Sequence, residues 1–190
     1  RVDFATFSGH KFHAVRGVGF VYKKAGKKIT PFLTGGGQEK DLRSTTENVA
    51  GIASMAKALR LVTDKEEFSL PKIAKMKKII FDELAKYEDI TIFSGEGEDF
   101  APNILTFGIK GVRGEVVVHA FEEHQIYIST TSACSSKAGK PAGTLISMGI
   151  PTKLAQTAVR ISLDDDNDMG QVEQFLTIFK QVYAKTQKVR

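Results

Sequence analysis

A hydroxyl, an imidazole and an amine fall within four residues of one another in Phe7-Ser8-Gly9-His10-Lys11-Phe12. The run follows an alternating apolar stretch, Val2, Phe4 and Phe7, which reads as a short strand delivering a lysine to the end of a sheet. A lysine fixed between two phenylalanines loses part of its ammonium hydration, which favours the free amine and, with it, Schiff-base chemistry. The Ser8 hydroxyl, the Gly9 backbone and the His10 imidazole are also groups that cradle a phosphate. Taken alone, these residues equally describe an exposed lysine after a strand.

Three further places carry chemistry. Cys134 is the single cysteine, so no disulfide can form within the chain. It sits in Thr130-Thr131-Ser132-Ala133-Cys134-Ser135-Ser136-Lys137-Ala138-Gly139-Lys140-Pro141, a small, polar run that reads as an exposed, poorly ordered loop. A cysteine kept as core filler has apolar neighbours, so this position favours a presented, reactive thiol. Arg160 lies in the strand pattern Ala158-Val159-Arg160-Ile161-Ser162-Leu163, where a guanidinium calls for a charged partner. Arg43-Ser44-Thr45-Thr46-Glu47-Asn48 opens a helical pattern, with Thr46 as the expected N-cap, and combines an arginine, hydroxyls and free amides into a possible anion site. Just before it, Gly35-Gly36-Gly37 lets backbone pass close to a ligand or another chain, or forms a flexible linker.

These residues need elements to hold them. The 190 residues are 42% hydrophobic and 26% charged, enough for one large domain or two small ones with a true core. Phe20-Val21-Tyr22 reads as a second strand, and Val49, Ile52, Ala53, Ala56 and Leu59 as a helix. The polar Thr63-Asp64-Lys65-Glu66-Glu67 marks a boundary, giving domains at 1–63 and 64–190. Leu70 to Tyr87 is then a separate amphipathic helix, with Ile73, Met76, Ile80 and Leu84 inward and lysines on a solvated face. Ile90 to Phe93, Ile104 to Ile109 and Ile126 to Ser129 read as strands, Gly114 to His124 as a helix, and Met169 to Tyr183 as a closing amphipathic helix. No apolar run approaches the roughly 20 residues of a membrane helix, and no leader pattern opens the chain, so no membrane partner and a cytoplasmic location are expected. Net charge is +5, but the lysines are scattered and acidic runs such as Asp164-Asp165-Asp166 lie among them, so no nucleic-acid partner is expected. No metal site is expected either. The chain opens at Arg1-Val2-Asp3, inside what reads as a strand, as a fragment would.

With Ser8-Gly9-His10-Lys11, Gly35-Gly36-Gly37-Gln38-Glu39, Arg43-Ser44-Thr45-Thr46-Glu47-Asn48, Ser132-Ala133-Cys134-Ser135-Ser136 and Val159-Arg160-Ile161-Ser162 in order, the chain closely resembles the C-terminal half of the cysteine desulfurases, which are class V aminotransferases. The resemblance implies an α/β chain: the C-terminal remnant of a large pyridoxal-phosphate-binding domain, followed by an α+β small domain. It implies pyridoxal 5'-phosphate as cofactor, L-cysteine as substrate, a sulfur-acceptor protein or scaffold as partner, and a homodimer in the intact enzyme. Lys11 resembles the lysine that joins the cofactor and moves protons between substrate carbons. Ser8 and His10 resemble phosphate ligands, and Thr46 resembles the threonine that reaches the phosphate of the other subunit. Arg160 resembles the arginine that holds the amino-acid carboxylate, and Cys134 the thiol that carries sulfur as a persulfide.

Two departures are visible. Thr45 stands where the family usually has glycine, and a Cβ there costs energy if the position needs positive φ; Ala14-Val15 stands where Gly-Pro is frequent. The family's ring-stacking residue and its acid at the pyridine nitrogen precede the lysine, so this chain alone is expected to be inactive. Selenocysteine lyase, another class V aminotransferase, or a non-catalytic docking or dimerisation module are the competing readings.

Overall fold

The computed structural model describes residues 2–97, 99–130 and 143–188. Cys134 lies outside them. The chain divides into two compact units, Arg1–Glu67 and Phe68–Arg190.

In the first unit, β1 (Phe4–Ser8) pairs antiparallel with β2 (Gly19–Lys23), placing Phe7 opposite Phe20 and Ser8 opposite Gly19. The two facing rings stack with centroids 4.6 Å apart, and Phe12 meets Phe20 edge-on at 6.4 Å. Such cross-strand aromatic pairs hold register in a ribbon too small to have its own core.

α1 runs unbroken from Val49 to Leu84. Its first turn is capped by Asn48, whose Oδ1 accepts from the Gly51 amide at 3.1 Å, so Asn48 and not Thr46 is the capping side chain. The polar stretch 63–67 does not interrupt the helix, and Pro71 lies inside it. The polarity of that stretch pointed to a break there. The helix tolerates the polar stretch because residues 59–68 are exposed all round, where polar side chains meet water.

The second unit is built on a four-stranded antiparallel sheet in the order β3-β4-β6-β5: β3 Ile90–Ile92, β4 Ile104–Ile109, β6 Ala158–Ser162 and β5 Ser129–Thr130. Strict alternation sorts its two faces. Leu105, Phe107 and Ile109 with Val159 and Ile161 point into a core shared with α1 (Ile73, Met76, Ile80, Leu84), α2 (Gly114–Glu122; Val117, Phe121) and α5 (Met169–Lys188; Val172, Phe175, Phe179, Val182). Phe121 and Phe175 stack in that core at 5.0 Å and 3°. The opposite face carries Thr106, Ala158 and Arg160, and a smaller cluster of Leu145, Ala155 and Ala158 packs with Phe93 and Ile150 beside α3 (Gly143–Ser147) and α4 (Thr152–Ala155). α5 starts at a reciprocal cap: Gln171 N donates to Asp168 Oδ1 at 2.9 Å, and Asp168 N to Gln171 Oε1 at 3.3 Å. The expected strand over 126–129 shrinks to the Ser129–Thr130 pair.

The lysines of α1 are not all solvated. Lys77 is buried, and its Nζ donates to Ala101 O at 2.8 Å and Gly95 O at 3.3 Å. Burial holds its pKa below the ordinary lysine value, with nearby Glu96 opposing that fall. On the same helix, Glu83 takes Lys86 Nζ at 2.6 Å and Lys180 Nζ at 3.2 Å. Lys86 first, and Lys180 with it, hold the Glu83 carboxyl below its usual range against the opposing effect of burial.

Candidate functional site

Lys11 sits in a single turn of 3-10 helix, Gly9–Phe12, between β1 and β2. Ser8 precedes the turn in extended conformation, and His13 closes it in the left-handed region at φ 69°, with its N–H donating to Gly9 O. Ala14 N also donates to Gly9 O at 3.0 Å, and Gly9 N donates to Val18 O at 2.9 Å. Gly9 is therefore stitched on both sides, and there is no room for a side chain: a Cβ would stand 2.9 Å from Val18 O and 3.1 Å from the Ala14 Cβ. The effect is to present Ser8, His10 and Lys11 together, all three exposed, on a turn fixed from beneath. Lys11 is flanked in sequence by Phe7 and Phe12, but among the described residues its own side chain is exposed. Phe7 is itself 45% exposed and is turned to Phe20.

Residues 33–48 form a second assembly in the same unit. Buried Ser44 ties it together, donating through Oγ to Gly36 O at 2.8 Å and through N to Leu33 O at 3.0 Å. Glu39, Lys40 and Asp41 take φ values of 52°, 56° and 63°, and Thr45 takes 104°. Left-handed backbone is costly for non-glycine residues and most of all for a β-branched one. The Cβ of Thr45 is thus strained, and its Oγ1 accepts from Arg43 Nη1. Thr46 is exposed. Within this assembly Gln38 Oε1 is buried and has no hydrogen-bond partner among the described residues.

Arg160 belongs to the second unit. It lies in the middle of β6, half-buried, on the sheet face away from α1 and α5, directly opposite Thr106 of β4 and Ser129 of β5. Among the described residues its buried Nε has no hydrogen-bond partner. A charge-bearing donor left unpaired in the fold is costly unless something outside the fold accepts from it. The structure brings Ser8, His10 and Lys11 together, and sets Thr46 and Arg160 in assemblies of their own. The neighbours Thr106 and Ser129 escaped the sequence reading because register between distant strands leaves no local signal.

A lysine on a glycine-locked turn after a ribbon strand, followed by a helix-covered antiparallel sheet with an arginine in its third strand, defines a mixed α and β chain. The chain belongs to the class-V aminotransferase family, whose profile matches residues 1–175. It is 47% identical over 189 residues to a NifS/IcsS protein homolog of Lactobacillus delbrueckii subsp. bulgaricus, covering 100% of this chain and 49% of that protein. It is 33% identical over 162 residues to the cysteine desulfurase IscS of Dictyoglomus turgidum, covering 85% of this chain and 41% of that one. Among solved structures, the NifS-like protein of Rickettsia africae superposes with a TM-score of 0.82 at 32% identity, over 96% of this chain and 48% of its own. The chain spans about half the length of the curated relatives it matches. No described helix is long and apolar enough to cross a membrane.

Proposed function

We propose that this chain works in a cysteine desulfurase that uses pyridoxal 5'-phosphate, moves sulfur from L-cysteine to the Cys134 thiol and releases L-alanine. The observation that supports this most is the turn at Gly9, which presents a hydroxyl, an imidazole and an amine side by side. That donor set fits a phosphorylated aldehyde: Ser8 and His10 suit the phosphate, and Lys11 suits the carbonyl carbon. The family is one of pyridoxal-phosphate enzymes; when bound, the cofactor would draw electrons from the substrate Cα.

The chain's own residues would divide the remaining work. Arg160 would hold the substrate carboxylate with its planar fork, a use that explains an unpartnered Nε. Lys11 Nζ would take the Cα proton and return protons to the product carbons. The Cys134 thiolate would attack the substrate sulfur, forming an S–S bond as the C–S bond breaks, and the electron pair left on Cβ would take a proton to give the alanine methyl. Ser129 neighbours Arg160 across the sheet, and Cys134 follows Thr130 by four residues. Thr46 would reach the phosphate of a second subunit, and a separate acceptor protein or scaffold would receive the persulfide.

The test uses an active, full-length protein carrying these residues. Cys134→Ala should abolish persulfide while leaving the absorption of bound cofactor intact, whereas Lys11→Ala should lose that absorption. Persulfide formation by the Cys134→Ala protein would overturn the assignment.

A further inference from the structure

We propose that Ser54 is a positioning residue for Lys11, fastening the turn that carries the lysine to α1. The inference rests on the reading of Lys11 as the amine that joins the cofactor and extends it to a residue that no motif marks.

A hydrogen bond across 39 positions of sequence carries it: Val15 N donates to Ser54 Oγ at 3.3 Å. Val15 is where the chain leaves the turn. His13 N and Ala14 N both donate to Gly9 O, and Gly9 N donates to Val18 O, so residues 9–18 are bonded into one small body. Those bonds close the body on itself and leave its tilt against the helix unset. The bond from Val15 supplies a tether at that point. Ser54 is half-buried, and Gly51 and Ala58, three residues before it and four after, are buried, so the hydroxyl stands on the covered face of α1 in this unit. It lies in the second turn of the helix, behind the Asn48 cap, which makes the anchor regular helix and not a fraying end.

The donor exists because residue 15 is valine. Proline, frequent at this place in the family, has no N–H and fixes its own φ, whereas valine brings an amide to satisfy and a freer backbone. A serine hydroxyl accepts from that amide while its own proton turns to a helix carbonyl. Alanine at position 54 favours the helix slightly more than serine does but offers the amide no acceptor. Its effects on the turn and on helix stability therefore run in opposite directions, and a loss at the lysine site is separable from general destabilisation.

The experiment uses an active full-length protein carrying these residues, freed of cofactor and titrated with pyridoxal phosphate, with absorption of the bound cofactor as one readout and hydrogen exchange over residues 9–15 as the other. Ser54→Ala should weaken binding by about threefold to tenfold and quicken exchange at Val15, and Ser54→Thr, which keeps the hydroxyl, should restore both. In a Val15→Pro background no donor remains, so adding Ser54→Ala should change binding by no more than about twofold. Equal losses in the two backgrounds, or binding and exchange in Ser54→Ala like those of the parent, would overturn this inference and leave the Lys11 assignment standing. Should the Val15→Pro protein fail to fold, Ser54→Thr decides: binding as weak as that of Ser54→Ala would overturn it equally. Cofactor absorption that survives Lys11→Ala would overturn the lysine reading and this inference with it.

Discussion

Gly19→Ala should damage the lysine site without touching it. Gly19 lies opposite Ser8 in the ribbon, and an ideal Cβ at this position falls 2.4 Å from Phe7 O, a backbone atom. A carbon needs about 3.3 Å from a carbonyl oxygen even in the closest recurrent contacts, so one strand must move by roughly 0.9 Å. The oxygen belongs to the residue next to Ser8, and the movement feeds into the turn carrying His10 and Lys11. Overpacking of this size costs about 1–3 kcal/mol, and a misplacement near 1 Å can cost on the order of a hundredfold in rate. Denaturant unfolding of the first unit should register the stability loss, and hydrogen exchange at the Gly9 amide, bonded to Val18 O at 2.9 Å, should quicken. In an active full-length protein, alanine formation should fall by about tenfold to a hundredfold. Gly17→Ala is the control: φ there is 85°, but nothing lies within 4 Å of the added carbon. It should cost about 1 kcal/mol through backbone strain and leave the turn where it is. Wild-type exchange at Gly9 in the Gly19→Ala protein, or equal damage from both substitutions, would refute the steric argument.

Four other outcomes are expected. Glu83→Gln should destabilise the second unit by about 0.5–1 kcal/mol, a small figure because Lys86 and Lys180 are 66% and 59% exposed. The folded carboxyl titrates below its unfolded value, so its stabilisation is present above about pH 4.5 and is lost as pH falls through the folded pKa; acid unfolding curves of the two proteins should converge there. Thr45→Gly should relieve about 1–3 kcal/mol of left-handed strain while losing the Arg43 contact and about 0.4–1 kcal/mol through the freer unfolded chain, leaving stability unchanged or slightly raised; clear destabilisation in an unfolding titration would contradict the φ of 104°. Lys77→Met should accelerate hydrogen exchange in the segment joining Gly95 to Ala101, whose two end carbonyls it holds. The 190-residue chain given pyridoxal phosphate and L-cysteine should yield no alanine, and turnover by it alone would disprove the expectation, drawn from the family resemblance, that further cofactor contacts are needed.

Local pattern carried much of the fold. The run Ile104 to Ile109 alternates strongly enough that its strand bounds could be read directly, and the Val172, Phe175, Phe179 and Val182 stripe marks the inner face of α5. What resisted reading depends on partners far away in sequence. Whether residues 63–67 break a helix depends on burial, which polarity does not report when a helix stands in solvent. Lys77 looks like its exposed neighbours until the loop above it is known. Thr46 and Asn48 are both good capping residues, and only backbone geometry chose the latter. For the candidate site, residue types and their order were legible in short motifs. The pairing of Arg160 with Thr106 and Ser129 was not, because Arg160 lies 54 and 31 positions from them.

Lys77 grips the loop above it through the carbonyl oxygens of Gly95 and Ala101. Every amino acid supplies that oxygen, so the anchorage is indifferent to the side chains it secures. Over evolutionary time the surface positions of this loop are free to drift, exchanging charge and size without loosening the attachment. Gly95 is the partial exception, since an added carbon would displace the exposed Phe100 ring. A library randomised over this segment should therefore tolerate wide variation at Glu96 and Asp99, accept side chains at Gly95 only where the Phe100 ring swings aside, and reject most replacements of Lys77, concentrating mutational sensitivity in the fastener and sparing the fabric.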